Sequence, residues 1–525
     1  MASSTPSGTG SESRRPLPNE LILEVLEFLC ADLAANPIPI PNPLDPITNS
    51  ISLAPIATLR LVSHLVRGFV ESQRHLWMSY SLLLPSGVRS PDIQQIYDGL
   101  RYYLRRAPPV ELISFGVEVG AGLSPAYWLR QLLFRYAPRL ESLTLHISSE
   151  TLGLFQGRSP PLFQSLRRLS VILPERAQQV GFVREVEGLL ETLHNAQQLS
   201  VLSISLVGTS RAPRLLFIDG LPLYNTLTTL IVTHICVSVT DSQRFWLLCP
   251  QLESCTFWLA PFSDEVGVPP TTARLASLRQ LHITYRFLSP EPFASLEAPQ
   301  LVMLVISVEA SENNGAFPDV ALRAFQARSH FELAEFHLHV DFSGQAQGVL
   351  QFLEAAPTLQ TLTLHWTLVL ESRSQANAGL LHLLASLARP HLFLPNKMDL
   401  LPALRSLQID LVSPYMQDVL ELLRSRVDQL SEVTLYDFEG DEVYWRQIWD
   451  LRSRNRHLNI FFIAMVSFDC SDRGSQPPEW NFSDESSDSG DSDSWEVGSV
   501  STQATSVAEE YEPSSHSGAC GGHLE

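Results

Sequence analysis

Three of the fifteen histidines in this sequence are spaced so that they would meet on one surface. His337 and His339 lie two apart in FHLHV, the spacing of residues on one face of a strand, and His365 ends the similar TLTLH. If the two segments stack in register, His365 falls beside His339. Three imidazoles can ligate zinc, but no carboxylate or thiolate is assured beside them. The expected role is therefore a hydrogen-bonding surface, with no metal and no cofactor. Short motifs with a catalytic mechanism are missing from the sequence: it contains no GxxxxGK[ST] loop, no GxGxxG after a strand, no HExxH and no GxSxG. No catalytic residue is assigned, and an enzyme is not expected.

The six cysteines, Cys30, Cys236, Cys249, Cys255, Cys470 and Cys520, form no CxxC pair of the kind that clamps zinc or shuttles electrons. They read as reduced thiols. Cys249 and Cys255 lie in apolar surroundings and are expected to act as small buried hydrophobes.

The elements that would position the histidines come from a repeated pattern. LESLTLHI from Leu140, LRRLSVIL from Leu166, LSVLSISL from Leu199, LRQLHITY from Leu278, LQTLTLHW from Leu359 and LRSLQIDL from Leu404 share the form LxxLxLxL. Weaker copies begin at Leu112, Leu227, Leu252, Leu301, Leu333 and Leu430. The pairs Leu140 and Leu166, Leu252 and Leu278, Leu333 and Leu359, and Leu404 and Leu430 each start 26 residues apart. That period is the signature of a leucine-rich repeat. Alternation within each copy predicts a short strand, and VEGLLETL, DSQRFWLL, QGVLQFLEAA and MQDVLELLRSR read as helices before strands. Pro138, Pro250 and Pro357 stand where those helices must stop. One such unit cannot bury its apolar side alone, but stacked units share a continuous core. Strands pack about 4.8 Å apart and helices about 8–10 Å, so the expected fold is a curved α/β solenoid with a parallel sheet on its concave face.

Residues between the inward leucines would line that concave face. They are mostly hydroxyl-bearing, with Trp258, His282, His337, His339, His365 and Tyr436 as larger groups able to contact a protein target.

Ahead of the repeats, LPNELILEVLEFL places Glu20, Glu24 and Glu27 on one helical stripe and apolar side chains around most of the remainder. So broad an apolar arc must be shared with more than one neighbour. Ile56, Leu59, Val62, Leu65, Val66 and Phe69 supply a second amphipathic stretch. PLPNELILEVLEFL, then IATLRLVSHLVRGF, then Trp77 resemble the F-box motif in order and residue type. Leu17, Pro18, Glu20, Leu21, Ile22, Val25, Leu26 and Leu29 match its first helix, and Leu59, Leu61, Val62, Ser63 and Phe69 its later ones. The resemblance implies docking on the adaptor Skp1 of a cullin-containing SCF ubiquitin ligase. These residues and Trp77 would form the interface, and the repeats would select an unidentified protein substrate. The alternative is a ligase-independent interaction scaffold built on the same repeats. A departure from the family lies between the helices, where Pro37, Pro39, Pro41, Pro43 and Pro46 predict an extended, non-helical loop.

Composition divides the chain into a Ser/Gly-rich start (1–13), the helical module (14–85), the repeats (86–468) and an acidic tail (469–525). The tail holds 13 acidic residues against one Arg, within a chain of net charge −20. Low hydrophobicity and repeated like charge predict that it is disordered, and the serines of SDESSDSGDSDSW resemble sites for acid-directed kinases. The acidic balance argues against nucleic acid as a partner. No window is apolar enough for a membrane span and the first residues carry no hydrophobic signal, so the expected compartment is cytoplasm or nucleus.

Overall fold

The computed structural model describes residues 38–39, 79–84, 113–119, 163–173, 193–206, 225–260, 272–285, 291–308, 317–340, 346–366, 382–388, 400–410, 416–436 and 442–463, with scattered positions in 101–147 and 188–191. Contacts divide the chain into two compact units, Met1–Met465 and Val466–Glu525, and all described residues belong to the first.

The strands are β1 (Ile38–Pro39), β2 (Ser79–Leu84), β3 (Ile113–Val119), β4 (Leu140–His146), β5 (Arg168–Leu173), β6 (Val201–Leu206), β7 (Thr229–Val237) and β8 (Ser254–Leu259). They continue as β9 (Ala273–Arg274), β10 (Gln280–Tyr285), β11 (Leu296–Glu297), β12 (Met303–Val308), β13 (Glu335–Val340), β14 (Thr361–Trp366), β15 (Ser406–Asp410), β16 (Glu432–Tyr436) and β17 (Asn459–Ile463). Fifteen of them form a single sheet, and β9 and β11 pair separately. Strand order in the large sheet follows chain order throughout, and neighbours run parallel, as β10 does with β8 and β12. This is a solenoid-like α/β fold: each strand is followed by a crossover that returns the chain beside itself. Helices α1 (Val239–Leu248), α2 (Glu291–Ala294), α3 (Asp319–Ser329), α4 (Ala346–Glu354), α5 (Met416–Arg426) and α6 (Glu442–Arg454) lie in those crossovers.

The repeated leucines build the core as their period requires. In β10, Leu281, Ile283 and Tyr285 are buried, while Gln280, His282 and Thr284 face the other way. The first leucine of each copy closes a turn: Leu252, Leu278, Leu301, Leu359 and Leu404 each donate an N–H to the carbonyl three residues earlier. Cys249 is the acceptor for Leu252, the place that Ala298 and Ala356 fill in other repeats, so its thiol serves as a small apolar group. Burial pushes the Cys249 and Cys255 thiols well above their ordinary range. Beyond each turn, one carbonyl accepts two N–H groups from the next repeat, as Arg279 O does from Val302 at 2.9 Å and Met303 at 3.0 Å. The same double acceptance recurs at Thr228, Glu253, Val302, Ala334, Gln360 and Arg405.

Helix ends agree with the proline reading at two positions. Residue Cys249 caps α1 just before Pro250, and α4 ends at Glu354 before the turn holding Pro357. At the start of α1, Ser238 Oγ accepts the Asp241 N–H at 2.9 Å and donates to Asp241 Oδ2 at 2.6 Å, a reciprocal cap.

Two local expectations need correction. SYSLLL, the end of the segment read as a helical module, is strand β2, with Tyr80 fully buried. Its alternation is strand-like, and the sheet therefore begins before residue 86. Ile38 and Pro39, within the run read as an extended loop, pair with Tyr80 and Ser81. Proline is tolerated there because β1 is an edge strand.

Arg426 ties neighbouring repeats together from inside. Its buried guanidinium donates to Leu387 O, to Leu400 O at 2.6 Å and to Gln429 Oε1 at 2.8 Å. Arg328 acts similarly on the carbonyls of Phe293 and Leu296. Removing Arg426 leaves buried acceptors unpaired at about 1–3 kcal/mol each. Arg426→Ala should therefore raise amide hydrogen exchange in β15 and β16 by roughly thirtyfold or more, with β5 and β6 unchanged. Arg426→Lys should restore only part of the protection, because one ammonium cannot span the separated carbonyls.

Candidate functional site

Helices occupy the crossovers, and alternation leaves the opposite face of the sheet to the polar residues of each strand. Register sets these in rows. His282, Val305, His337 and Thr363 stand side by side across β10, β12, β13 and β14, with Gln408 and Thr434 continuing the row on β15 and β16. A second row runs Thr284, Ser307, His339 and His365.

The expected approach of His339 and His365 is present. Their ring centroids are 4.4 Å apart, and His365 lies 4.8 Å from the Tyr436 ring. Tyr436 Oη donates to Gln408 Oε1 at 3.3 Å, which fixes the end of this planar row. His282 Nε2 faces Ser307 Oγ at 3.3 Å and Thr284 Oγ1 at 3.4 Å. His337 Nε2 stands 3.7 Å from Glu335 Oε2, too far for a hydrogen bond. That nitrogen and Thr363 Oγ1, directly across from it in register, have no hydrogen-bond partner. Thr363 is only 1% exposed although it shares the row of His337 and Gln408.

Burial disfavours the charged form of His282 and His337. Burial lowers the pKa of His282, and the nearby His337 lowers it further. For His337, burial again dominates and carries the pKa below its ordinary value despite the opposing pull of Glu335. Such groups can donate and accept hydrogen bonds and stack against planar partners. Among the described residues, no group of three or more His, Cys, Asp or Glu is arranged to hold a metal ion.

Trp258 differs from expectation. It is 7% exposed and belongs to a small cluster with Cys236 and Ala260. The cause lies in β7, which is nine residues long where most strands of the sheet have five or six. Ile231 pairs with Thr256, but Trp258 pairs with Cys236, so β7 accommodates extra residues between the two contacts. The expansion includes His234, whose backbone is left-handed at φ 58° and whose ring sits 4.4 Å from the indole. Trp258 is thus covered and offers no open anchor. Sequence reasoning missed His234; the signal was the length of TLIVTHICV, which exceeds the other copies. It also missed Glu335 as the acidic neighbour of His337.

The F-box-like positions Leu17, Pro18, Glu20, Leu21, Ile22, Val25, Leu26, Leu29, Leu61, Val62 and Trp77 lie outside the described residues. Among the described residues, no helix is long and apolar enough to cross a membrane.

No family model and no curated protein sequence matches the chain. Among solved structures, a Bacteroides fragilis protein from a structural genomics programme is similar at 11% identity and a TM-score of 0.31, covering 59% of this chain and 68% of its own. No functional reading rests on that similarity.

The lowered pKa values of His282 and His337 make stability depend on pH. In the unfolded chain both groups take up protons near pH 6.5, whereas the folded form resists protonation. Their contribution is therefore complete above that pH and is lost as the pH falls towards the folded values. Hydrogen exchange in β10–β14 should accelerate between pH 7.5 and 5.5 after correction for intrinsic rates. The double variant His282→Gln, His337→Gln should show a flatter dependence.

Proposed function

We propose that this chain is the substrate-recognition subunit of an SCF-type ubiquitin ligase, with the N-terminal segment holding Skp1 and the repeats holding a protein target. The reading joins two features. PLPNELILEVLEFL has the residue order of an F-box first helix, and the sheet presents a row of imidazoles, hydroxyls and an aromatic ring. The observation that carries target binding is this row, where the rings of His339, His365 and Tyr436 follow one another on the polar face.

In this proposal the repeats form a curved leucine-rich solenoid whose concave side is the polar face, and the protein acts in the cytoplasm or nucleus. The chain performs no catalysis and needs no cofactor; ubiquitin transfer is done by the conjugating enzyme and cullin module that it recruits. His282, His337, His339, His365 and Tyr436 make the target contacts, and neither nucleic acid nor membrane is a partner.

Affinity purification of the tagged chain with the proteasome inhibited tests both halves. Leu26→Asp buries a carboxylate in the apolar arc at a cost of several kcal/mol, so it should abolish capture of Skp1 and cullin while leaving exchange in β10–β14 unchanged. His339→Ala with Tyr436→Ala should weaken capture of a specific target at least tenfold, about 1.4 kcal/mol, and leave Skp1 binding intact. Targets retained by a wild-type chain that captures no Skp1 would identify a ligase-independent scaffold instead.

A further inference from the structure

Charge on the polar face is one-sided where the rings stand. Strands β10 and β12–β17 contain no Lys or Arg. Arg279 and Arg405, the residues just before β10 and β15, share the parity of the inward Leu281 and Leu407, so alternation turns them from this face. The arginines of α3 and α5 belong to the crossovers on the other side.

Two carboxylates form one flank of the face. Register carries Glu335 through Thr361 and Ser406 to Glu432 in a single row, so the two glutamates are three strand steps apart, about 14 Å. Glu432 is exposed, and the side chain of Glu335 is 43% exposed. Glu335 Oε2 faces His337 Nε2 at 3.7 Å, but burial lowers the pKa of that imidazole, which therefore carries little positive charge at neutral pH.

Rings form the other flank, four residues further along the same strands. His339 and His365 are 4.4 Å apart and His365 and Tyr436 4.8 Å, all of them half-buried. Asp410 stands across from Tyr436 in register. In the middle row between the flanks, Thr363 and Thr434 are buried. A ligand over this part of the sheet therefore meets the flanks more than the floor.

The spacing restricts what can bind. An extended peptide that crosses the strands above the middle row turns alternate side chains to opposite flanks, and each flank is about 7 Å from that row. Residues four apart on one side of such a peptide are about 13.6 Å apart, close to the separation of the glutamates. Its intervening side chains on the other side reach the rings, where aromatic groups and guanidiniums pack well.

We propose that the polar face of β13–β16 binds an extended basic segment of the target, with arginines four residues apart on Glu335 and Glu432 and flat side chains between them on His339, His365 and Tyr436. This rests on the reading of the face as the target-binding surface and is independent of the ligase assignment. Arginine suits the carboxylates because its planar fork can pair with both oxygens. The net charge of −20 attracts a basic segment at long range and disfavours a second copy of the chain as occupant.

Fluorescence anisotropy with the full chain tests this, using labelled peptides of about nine residues, enough to cross the four strands. Each holds two arginines three, four or five positions apart, with tyrosine at alternate positions between them and serine elsewhere. The spacing of four should bind best and weaken as salt is raised. Glu335→Gln with Glu432→Gln should cost it at least tenfold in affinity, as should His339→Ala with Tyr436→Ala. Unchanged hydrogen exchange in β10–β14 confirms folding of both variants, and a peptide with glutamate in place of arginine should not bind.

Failure of every arginine peptide to bind overturns the proposal, as does equal affinity for the three spacings or an unchanged affinity in the glutamine variant. Capture from cells separates it from the broader reading. Targets lost to His339→Ala with Tyr436→Ala but kept by Glu335→Gln with Glu432→Gln would leave the face as the target site and overturn its basic ligand. Targets kept by both variants would overturn the reading of the face itself, and this proposal with it.

Discussion

Stability in this molecule depends on the stacking of each strand against the one before it. A single crossover and strand has too little interior to repay the entropy of ordering it. Apolar side chains such as Leu281 and Ile283 become buried only because adjacent repeats repeat the same alternation at the same height. The doubly accepting carbonyls at the repeat boundaries lock that height, and the guanidiniums of half-buried Arg328 and buried Arg426 hold the irregular parts of the crossovers to it. A surface follows from the same constraint. With the leucines committed inward, the intervening residues stand in straight rows, and distant parts of the chain become neighbours.

Much of this was legible in the sequence because strand periodicity is local and the register is close to zero. Leu278, Leu281 and Ile283 fell inward as the LxxLxLxL pattern required, and His339 met His365 because each holds the same place in its copy. Features set by longer relationships were hidden. Arg426 reaches a carbonyl 39 residues away across a crossover of irregular length, and nothing in its surrounding MQDVLELLRSR marks it as internal. Strand β2 was read together with the helix-like sequence before it because its six residues are too few to outweigh the composition around them. Trp258 had the correct parity for an open position, but the expansion of the preceding strand placed His234 over it. The environment of His337 was also only partly readable: its row was evident, whereas the lack of a hydrogen-bond partner for its Nε2 is a matter of three-dimensional placement.

The polar face combines two kinds of group. His282 and His337, whose pKa values burial lowers, can each donate or accept a hydrogen bond, whereas His339, His365 and Tyr436 bring ring faces together. Located on one sheet, these rows share a rigid support, and each can change in sequence without altering the leucines that pack behind it.

The enlarged β7 also bears on how such an array can change in length. The strand takes in extra residues between Ile231 and Cys236, yet β8 and β10 pair from Ser254 and Gln280 to Leu259 and Tyr285 without a shift. It works as an expansion joint: the phase error is absorbed within one unit and is not passed to the next. The surplus residues are folded over an indole that would otherwise stand open, forming a miniature interior with Cys236 and Ala260. Growth inside a strand therefore remodels one spot on the polar face while every later repeat keeps its alignment.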